Sequence, residues 1–357
     1  MMPGIHRVLS KPGQPSSKLR LVQAIPEQAA KQFGVFTGAQ AEASGWSQSA
    51  LTRAVRSGRL IRLRRGAYLR PQSDQSDQSD QSDQHSAASQ RAWLIGVAGV
   101  AAALCVSRAT VSHASAAALH GLPLLRVPAR PCVTIPSELR TRPASLHVHR
   151  QPIPQWQLDA QSPVAVTSVA RACIDVNREQ GLAAALVAAD AAVRQGLTTA
   201  AELTEVYSSL RGRAGLPSGR QLLELVNGLS ESPLESISRL AMASLSQQPE
   251  LQTSLYAPSG QFLGRVDFFW KHLGVVGEAD GRSKYSGDEL WQERIRQGRI
   301  TDTGLLIVRW DWATAMRPAA LCERIEHEFQ RARQLRAAGI FPRVQTHCAA
   351  RKVGFGA

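Results

Sequence analysis

The chain has 357 residues, 43% of them hydrophobic, enough apolar material for two or three separately folding cores. Five cysteines, Cys105, Cys132, Cys173, Cys322 and Cys348, are odd in number, far apart and never form a Cys-x-x-Cys pair. This argues against a disulfide framework and suits a reducing cytoplasm, with the thiols as small core residues. A formal net charge of +14 and a pI near 10.4 favour a polyanionic partner, and residues 1–70 alone carry a net +10.

In chain order, residues 1–31 read as a loose basic arm with scattered Pro, Ser, Gln and Lys, order beginning near Phe33. Residues 32–71 form a first domain. The three-residue repeat QSDQSDQSDQSDQ begins at Gln72 and has no apolar residue to bury, so residues 72–89 are expected to be a solvated linker. Residues 90–229 alternate helical and short extended patterns, an α+β middle region. Within it AWLIGVAGVAAALCV, from Ala92, is too short and too rich in Ala and Gly for a membrane span and reads as a packed helix. Residues 230–335 run helix, strands, helix, strand, helix, the order of a mixed sheet flanked by helices, and 336–357 read as a tail. The expected fold class is therefore α+β and multidomain. No export signal stands at the N-terminus, no membrane partner is expected, and a cytoplasmic location is.

The segment FTGAQAEASGWSQSALTRAVRSGRLIRLRRGAYLRP places a short helix, a turn at Ser44-Gly45, and a second helix from near Ser47 that Gly58 stops. RLIRL and AYLRP follow as two extended runs joined by Arg64, Arg65 and Gly66. This is the order of a helix-turn-helix with a hairpin wing. A narrow helix bearing Ser, Gln and Arg suits the major groove, and arginines at a hairpin tip suit the phosphates beside it. Gln48, Ser49, Thr52, Arg53 and Arg56 are the candidates on the helix, and Arg62, Arg64 and Arg65 those on the wing. Residues 36–71 resemble the winged-helix N-terminal domain of AbiEi-type antitoxins of type IV toxin-antitoxin systems, and SHASAAALHGLPLL and VTSVARACIDV look like the region that follows in that family. The resemblance implies operator binding on double-stranded DNA, autorepression, and a cognate toxin as a further partner.

VDFFWKHLGVVGEADGRSKY, from Val266, sets three carboxylates into two apolar runs that read as strands, where an uncompensated charge is costly. If Val266 and Phe268 face one side, Asp267 faces the other, while Glu278 and Asp280, two residues apart, point one way. Carboxylates converging at one point suit Mg²⁺, with Mn²⁺ as a substitute and no organic cofactor; Asp267 and Glu278 are the expected ligands. Lys284 is placed to orient or deprotonate a bound water. Glu231 and Glu235, one helical turn apart, are further candidates. The alternative is that Asp267 and Glu278 pair with Arg265, Arg282 or Arg309 in a structural network.

RVDFFW, VVGEADGRSKY and LLIVRW together resemble the PD-(D/E)XK nuclease superfamily, and within it a family related to very-short-patch repair (Vsr-like) endonucleases. The resemblance implies Asp267 as the metal aspartate, Glu278 as the acidic residue of the second half-motif and Glu235 as the helical glutamate. The superfamily lysine falls where this chain has Asp280; either Lys284 substitutes for it, or the site binds metal without cutting. Two readings follow: a bacterial, defence-associated DNA-binding protein with a Mg²⁺-dependent endonuclease domain using Asp267, Glu278, Asp280, Lys284 and Glu235, or an antitoxin-type autorepressor whose nuclease fold is inactive.

Other residues point less far. His147 and His149 share one strand face, but no third ligand stands near them in sequence, so a solvent-facing pair is expected. His113 and His120 are expected in core or cap roles, and Trp291, Trp310 and Trp312 in packing of the last helices and strand.

Overall fold

Thr37 and Ser47 each place a hydroxyl at the head of a helix, and the N-terminal elements are set by these two caps. The computed structural model describes residues 24–71, 87–140, 143–210, 212, 216, 218–280 and 287–348. Helix α1 (Gln28–Lys31) leads to strand β1 (Val35–Thr37), α2 (Gly38–Ala43), α3 (Gln48–Arg56), β2 (Ile61–Arg64) and β3 (Ala67–Leu69). The Gln40 amide donates to Thr37 Oγ1 at 3.2 Å while the Thr37 amide donates to Gln40 Oε1 at 2.8 Å, a reciprocal cap that satisfies two otherwise orphaned donors. The Ala50 amide donates to Ser47 Oγ at 3.2 Å. Gly45 and Gly58, at φ +84° and +72°, turn the chain before and after α3 in a conformation that a Cβ disfavours.

The strands form an antiparallel sheet in the order β1-β3-β2. Phe36 and Tyr68 on one face pack with Trp46 from the α2–α3 turn and Leu51 and Ala54 of α3, and Val35, Ala67 and Leu69 on the other join the core of the middle region. Packing begins earlier than the sequence suggests: Trp46 Nε1 donates to the Ala24 carbonyl at 2.8 Å and Ala29 is buried, so the end of the presumed arm belongs to this core. The QSD repeat lies at residues 72–84, outside the described residues.

The middle region continues with α4 (Ala87–Cys105), β4 (Thr110–Val111), α5 (His113–Leu119), β5 (Cys132–Ile135), β6 (His147–Arg150), α6 (Val169–Gln180), α7 (Leu182–Arg194), α8 (Ala200–Ser209) and α9 (Gly219–Leu225). The small sheet has the order β4-β5-β6, with β5 and β6 parallel. Among the described residues α4 is the helix long and apolar enough to cross a membrane. It nevertheless packs closely against protein. Val97, Val100 and Ala101 are fully buried, a Cβ at Gly99 would lie 2.8 Å from Val111 Cγ1, and one at Gly96 would lie 3.0 Å from Leu119 Cδ2.

The last region contains α10 (Pro233–Ala241), β7 (Glu250–Tyr256), β8 (Phe262–Trp270), β9 (Val275–Ala279), α11 (Gly287–Thr301), β10 (Leu306–Trp310), α12 (Trp312–Ala315), α13 (Pro318–Ala337) and β11 (Gln345–Cys348). The five-stranded sheet has the order β10-β9-β8-β7-β11. Strands β7 to β9 form an antiparallel meander, β10 runs parallel to β9, and β11 runs antiparallel to β7. Phe268, Trp270, Val308 and Trp310 meet residues of α10 and α13 on one side. Leu255, Val266, Phe269 and Val276 meet Ile300 of α11 on the other. The segment read from sequence as a tail therefore supplies a strand.

The middle and last regions share a buried polar joint. Asp190 of α7 accepts from the Asn227 amide at 2.7 Å, Ser236 Oγ at 2.8 Å and Arg239 Nη1 at 2.8 Å, so the boundary drawn at residue 230 is crossed by an ion pair and by Val187, which belongs to the core beneath the large sheet. The whole is mixed α+β, as composition and patterning suggest.

The glycines of α4 give a direct check on this packing. Gly99→Val is expected to cost roughly 1–3 kcal/mol, because its side chain overlaps Val111. Gly298→Ala, in the open face of α11 with nothing within 4 Å of the new Cβ, is expected to gain about 0.5–1 kcal/mol. Urea unfolding midpoints of the two variants measure both effects.

Candidate functional site

Helix α3 divides cleanly. Ala50, Leu51 and Ala54 are buried, while Gln48, Ser49, Thr52, Arg53 and Arg56 are exposed on its outer face. The face is partly ordered from within: Thr52 Oγ1 donates to the Gln48 carbonyl at 2.9 Å, and Ser49 Oγ lies 3.0 Å from Ser47 Oγ. Arg62 and Arg65 of the hairpin are also exposed. Arg59 joins them from the connection after α3, its Nε donating to Ser57 Oγ at 3.2 Å; sequence reasoning passed over it although it stands in the same basic run.

Arg64 behaves differently from its neighbours. The β2–β3 register shifts between Arg62 and Arg64, an irregularity that re-aims a side chain relative to plain alternation. Arg64 Nε and Nη1 are buried and find no hydrogen-bond partner among the described residues. Its charge acts on the Cys105 thiol at the end of α4, which burial pushes up and Arg64 pulls back down. The expected phosphate contact from Arg64 therefore has no place in this arrangement.

In the large sheet, the alternation of faces reverses at one point. Leu251 and its cross-strand partner Phe268 lie on the α10–α13 side, whereas Leu255 and Val266 lie on the α11 side. Between them Gln252 adopts φ +48°, a strained conformation for a side-chain-bearing residue. Val266 and Phe268 thus do not share a side, as strict alternation required, and Asp267 stands at the crossover. Its Oδ2 accepts from the Ala279 amide at 3.0 Å and its Oδ1 lies 3.4 Å from Gln252 Nε2, which also donates to Glu235 Oε2 at 2.9 Å. Glu235 is buried and caps its own helix, accepting from the Glu231 amide at 2.9 Å. Gln252, which no motif marks, is the group that joins the two carboxylates.

Glu278 is buried on β9 but is not part of that pair. Arg296 of α11 donates to its Oε1 at 2.7 Å, and Arg309 of β10 donates through Nε to its Oε2 at 2.6 Å. Asp280 is exposed at the strand end, and Lys284 lies outside the described residues. Burial, reinforced by Glu235 and Glu278, raises the Asp267 carboxyl to about 6. The described residues whose ligand atoms gather within 4.8 Å of one another do not include these carboxylates. Among the described residues, two guanidinium groups pair with Glu278, and a backbone amide and a carboxamide meet Asp267. Two arginines thus lie against the buried Glu278 carboxylate, and Arg309 is one of the pairing partners the sequence offered.

His147 and His149 do acquire further neighbours. The parallel register sets Cys132 opposite His147 and Thr134 opposite His149, and Glu179 at the end of α6 reaches over both histidines. Glu179 Oε1 lies 2.7 Å from His147 Nδ1, and Oε2 lies 3.8 Å from His149 Nε2 and 3.9 Å from Cys132 Sγ. The pair is not simply solvent-facing. His113 takes a core role, buried and held neutral chiefly by burial and then by Arg171 and Arg178, and His120 stands part-buried at the C-terminal cap of α5, its Nε2 donating to the Thr167 carbonyl at 2.8 Å. Trp310 is buried and donates to Ser238 Oγ at 2.7 Å, whereas Trp291 and Trp312 are exposed.

Residues 23–71 match the family described as "Transcriptional regulator, AbiEi antitoxin", so the N-terminal elements are similar to an antitoxin domain. Two curated relatives, "Uncharacterized protein MT2308" and "Uncharacterized protein Rv2248" from two strains of Mycobacterium tuberculosis, are each 30% identical over 170 residues, 47% of this chain. The matched part spans 62% of the length of those relatives. Among solved structures, the RV2827C protein from Mycobacterium tuberculosis aligns with 67% of this chain and 92% of its own at 18% identity and a TM-score of 0.30, too low a likeness to assign a fold.

The state of Asp267 leads to a pH-dependent stability. Below its unfolded value of about 3.9 the carboxyl is protonated in both states. As pH rises towards the folded value of about 6, the unfolded chain ionises first and stability falls. Asp267→Asn, which keeps the acceptor for Ala279, is expected to remove that loss and to exceed the wild type by on the order of 2 kcal/mol at pH 7, with the gap closing at pH 4. Urea unfolding between these two pH values measures the difference.

Proposed function

We propose that the protein is an antitoxin-type transcriptional regulator that binds double-stranded DNA through a winged helix-turn-helix. In this reading α3 enters the major groove with Gln48, Ser49, Thr52, Arg53 and Arg56 towards base edges and phosphates, and the β2–β3 hairpin sets Arg62 and Arg65 against the backbone beside it. The single observation that carries the reading is this outward polar face beside an arginine-bearing hairpin, in a segment similar to an antitoxin regulator domain. The target is the promoter of its own gene, and a cognate toxin is the protein partner.

The last region serves here as a folded scaffold in place of a Vsr-like, PD-(D/E)XK-type nuclease. What supports this is the closed pairing of Glu278 with Arg296 and Arg309. A Mg²⁺-dependent deoxyribonuclease is the rival reading. Its direct assay is plasmid nicking with Mg²⁺ or Mn²⁺, and cleavage lost in Asp267→Ala would establish it in place of the scaffold.

The DNA interface is tested by salt titration of promoter binding, read by fluorescence anisotropy. Arg62→Ala and Arg65→Ala are each expected to reduce the log-log salt slope by about 0.9, the loss of one phosphate contact. Arg64→Ala is expected to leave the slope unchanged because its guanidinium is turned inward, and Asp267→Ala is expected to bind with wild-type affinity. No measurable DNA affinity at low salt would overturn the assignment.

A further inference from the structure

Cys132, His147, His149 and Glu179 are drawn from three elements: the thiol from β5, both imidazoles from β6 and the carboxylate from the end of α6. Each offers a ligand atom, and these four atoms all lie within 4.8 Å of one another. We propose that these four residues form a binding site for a zinc-type transition-metal ion, a site independent of the DNA-binding face and of the carboxylates on the large sheet.

The donor set is the first argument. A thiolate, two imidazoles and one carboxylate are the ligands of tetrahedral zinc, and sulfur and nitrogen donors select against Mg²⁺ and Ca²⁺. Geometry is the second. Ligand atoms around a tetrahedral zinc stand about 3.4–3.6 Å apart, from metal–ligand bonds of about 2.0–2.3 Å. Here Cys132 Sγ lies 3.9 and 4.0 Å from the two Glu179 oxygens, and His149 Nε2 lies 3.8 Å from the nearer one. His147 Nδ1 lies 2.7 Å from Glu179 Oε1, so metal entry replaces that hydrogen bond and widens it by less than about 1 Å. The four ligand atoms, all within 4.8 Å of one another, have to draw together by about 1 Å to close on one ion.

The third argument is a polar atom that nothing else explains. His149 Nε2 is buried and has no hydrogen-bond partner among the described residues, although buried polar groups ordinarily find one. The ring is held rigidly: His113 stacks on it with centroids 3.5 Å apart and planes 10° from parallel, and the His147 ring lies 4.5 Å away on centroids. Its nitrogen points towards Glu179, whose side chain is 16% exposed, beside the half-exposed His147. The cluster is thus open to an ion from solvent on one side and walled by His113 on the other. Binding of the dication displaces the thiol proton to solvent, leaving a thiolate–metal bond, as cysteine sites require. Four protein ligands complete the coordination, so the site is structural in kind, joining β5, β6 and α6.

The test uses the full-length chain stripped with a chelator and titrated with Co²⁺ and then Zn²⁺. The expected result is uptake of a single equivalent of Co²⁺ with a thiolate-to-cobalt charge-transfer band in the near ultraviolet, bleached by one equivalent of Zn²⁺. Cys132→Ser is expected to abolish the band. His147→Asn, at a half-exposed position that leaves the core intact, is expected to weaken Zn²⁺ affinity at least tenfold, and Cys105→Ser to retain the wild-type response. Zinc is also expected to raise the melting temperature of the wild type and not that of Cys132→Ser. A stripped, folded wild-type chain that takes up no Co²⁺ or Zn²⁺ in stoichiometric amount would overturn the proposal. So would a band that survives both Cys132→Ser and His147→Asn.

Discussion

The arrangement of the molecule depends on the close approach that helix α4 makes to its neighbours. On one side, Gly96 and Gly99 present bare backbone to α5 and β4, where a methyl group would collide with Leu119 and Val111. On the other, Val97, Val100 and Ala101 share a core with Val35, Ala67 and Leu69 of the N-terminal sheet. That sheet is therefore two-sided, with its own helices above and α4 below. The exposed face of α3 takes its position from the middle region, even though the two are separated in sequence by a polar repeat.

Buried charge is settled in different ways in different places. Glu278 is neutralised by Arg296 and Arg309. Asp190 is met by a backbone amide, a hydroxyl and Arg239, although burial still raises its carboxyl. Asp175 holds Arg171 at 2.8 Å and Arg178 at 3.1 Å inside the middle region. Asp267 receives hydrogen bonds and, among the described residues, no countercharge, and burial, reinforced by Glu235, pushes its ionisation upward. A group removed from water retains its proton, recruits a cation or accepts donors, and this chain uses each route.

Much of the local structure was legible in the sequence, and the reason is that its causes are local. The cap at Ser47, the stops at Gly45 and Gly58 and the apolar spacing of Ala50, Leu51 and Ala54 specify α3 within a dozen residues or so. Strands β8 and β9 were marked by continuous apolar runs. What could not be read depends on distant partners or on departures from regular geometry. Arg64 turns inward because of a register shift, and the faces of β7 and β8 exchange at Gln252 because of a single positive φ. Cys132 and Glu179 lie far from His147 and His149 in sequence, and only the parallel pairing of β5 with β6 and the return of α6 make them neighbours. Of the two arginines opposite Glu278, Arg309 was among the partners the sequence offered, whereas Arg296 comes from α11, which no spacing rule ties to β9.

Strand β11 carries a further implication for the large sheet. A seven-residue β7 left bare at the margin would offer its main-chain amides and carbonyls as a ready template for any extended segment that drifted past. Residues 345–348 cover Thr253–Tyr256 of that strand in antiparallel register. That cover is made by main-chain groups, so its position on the sheet is tolerant of wide change in its side chains.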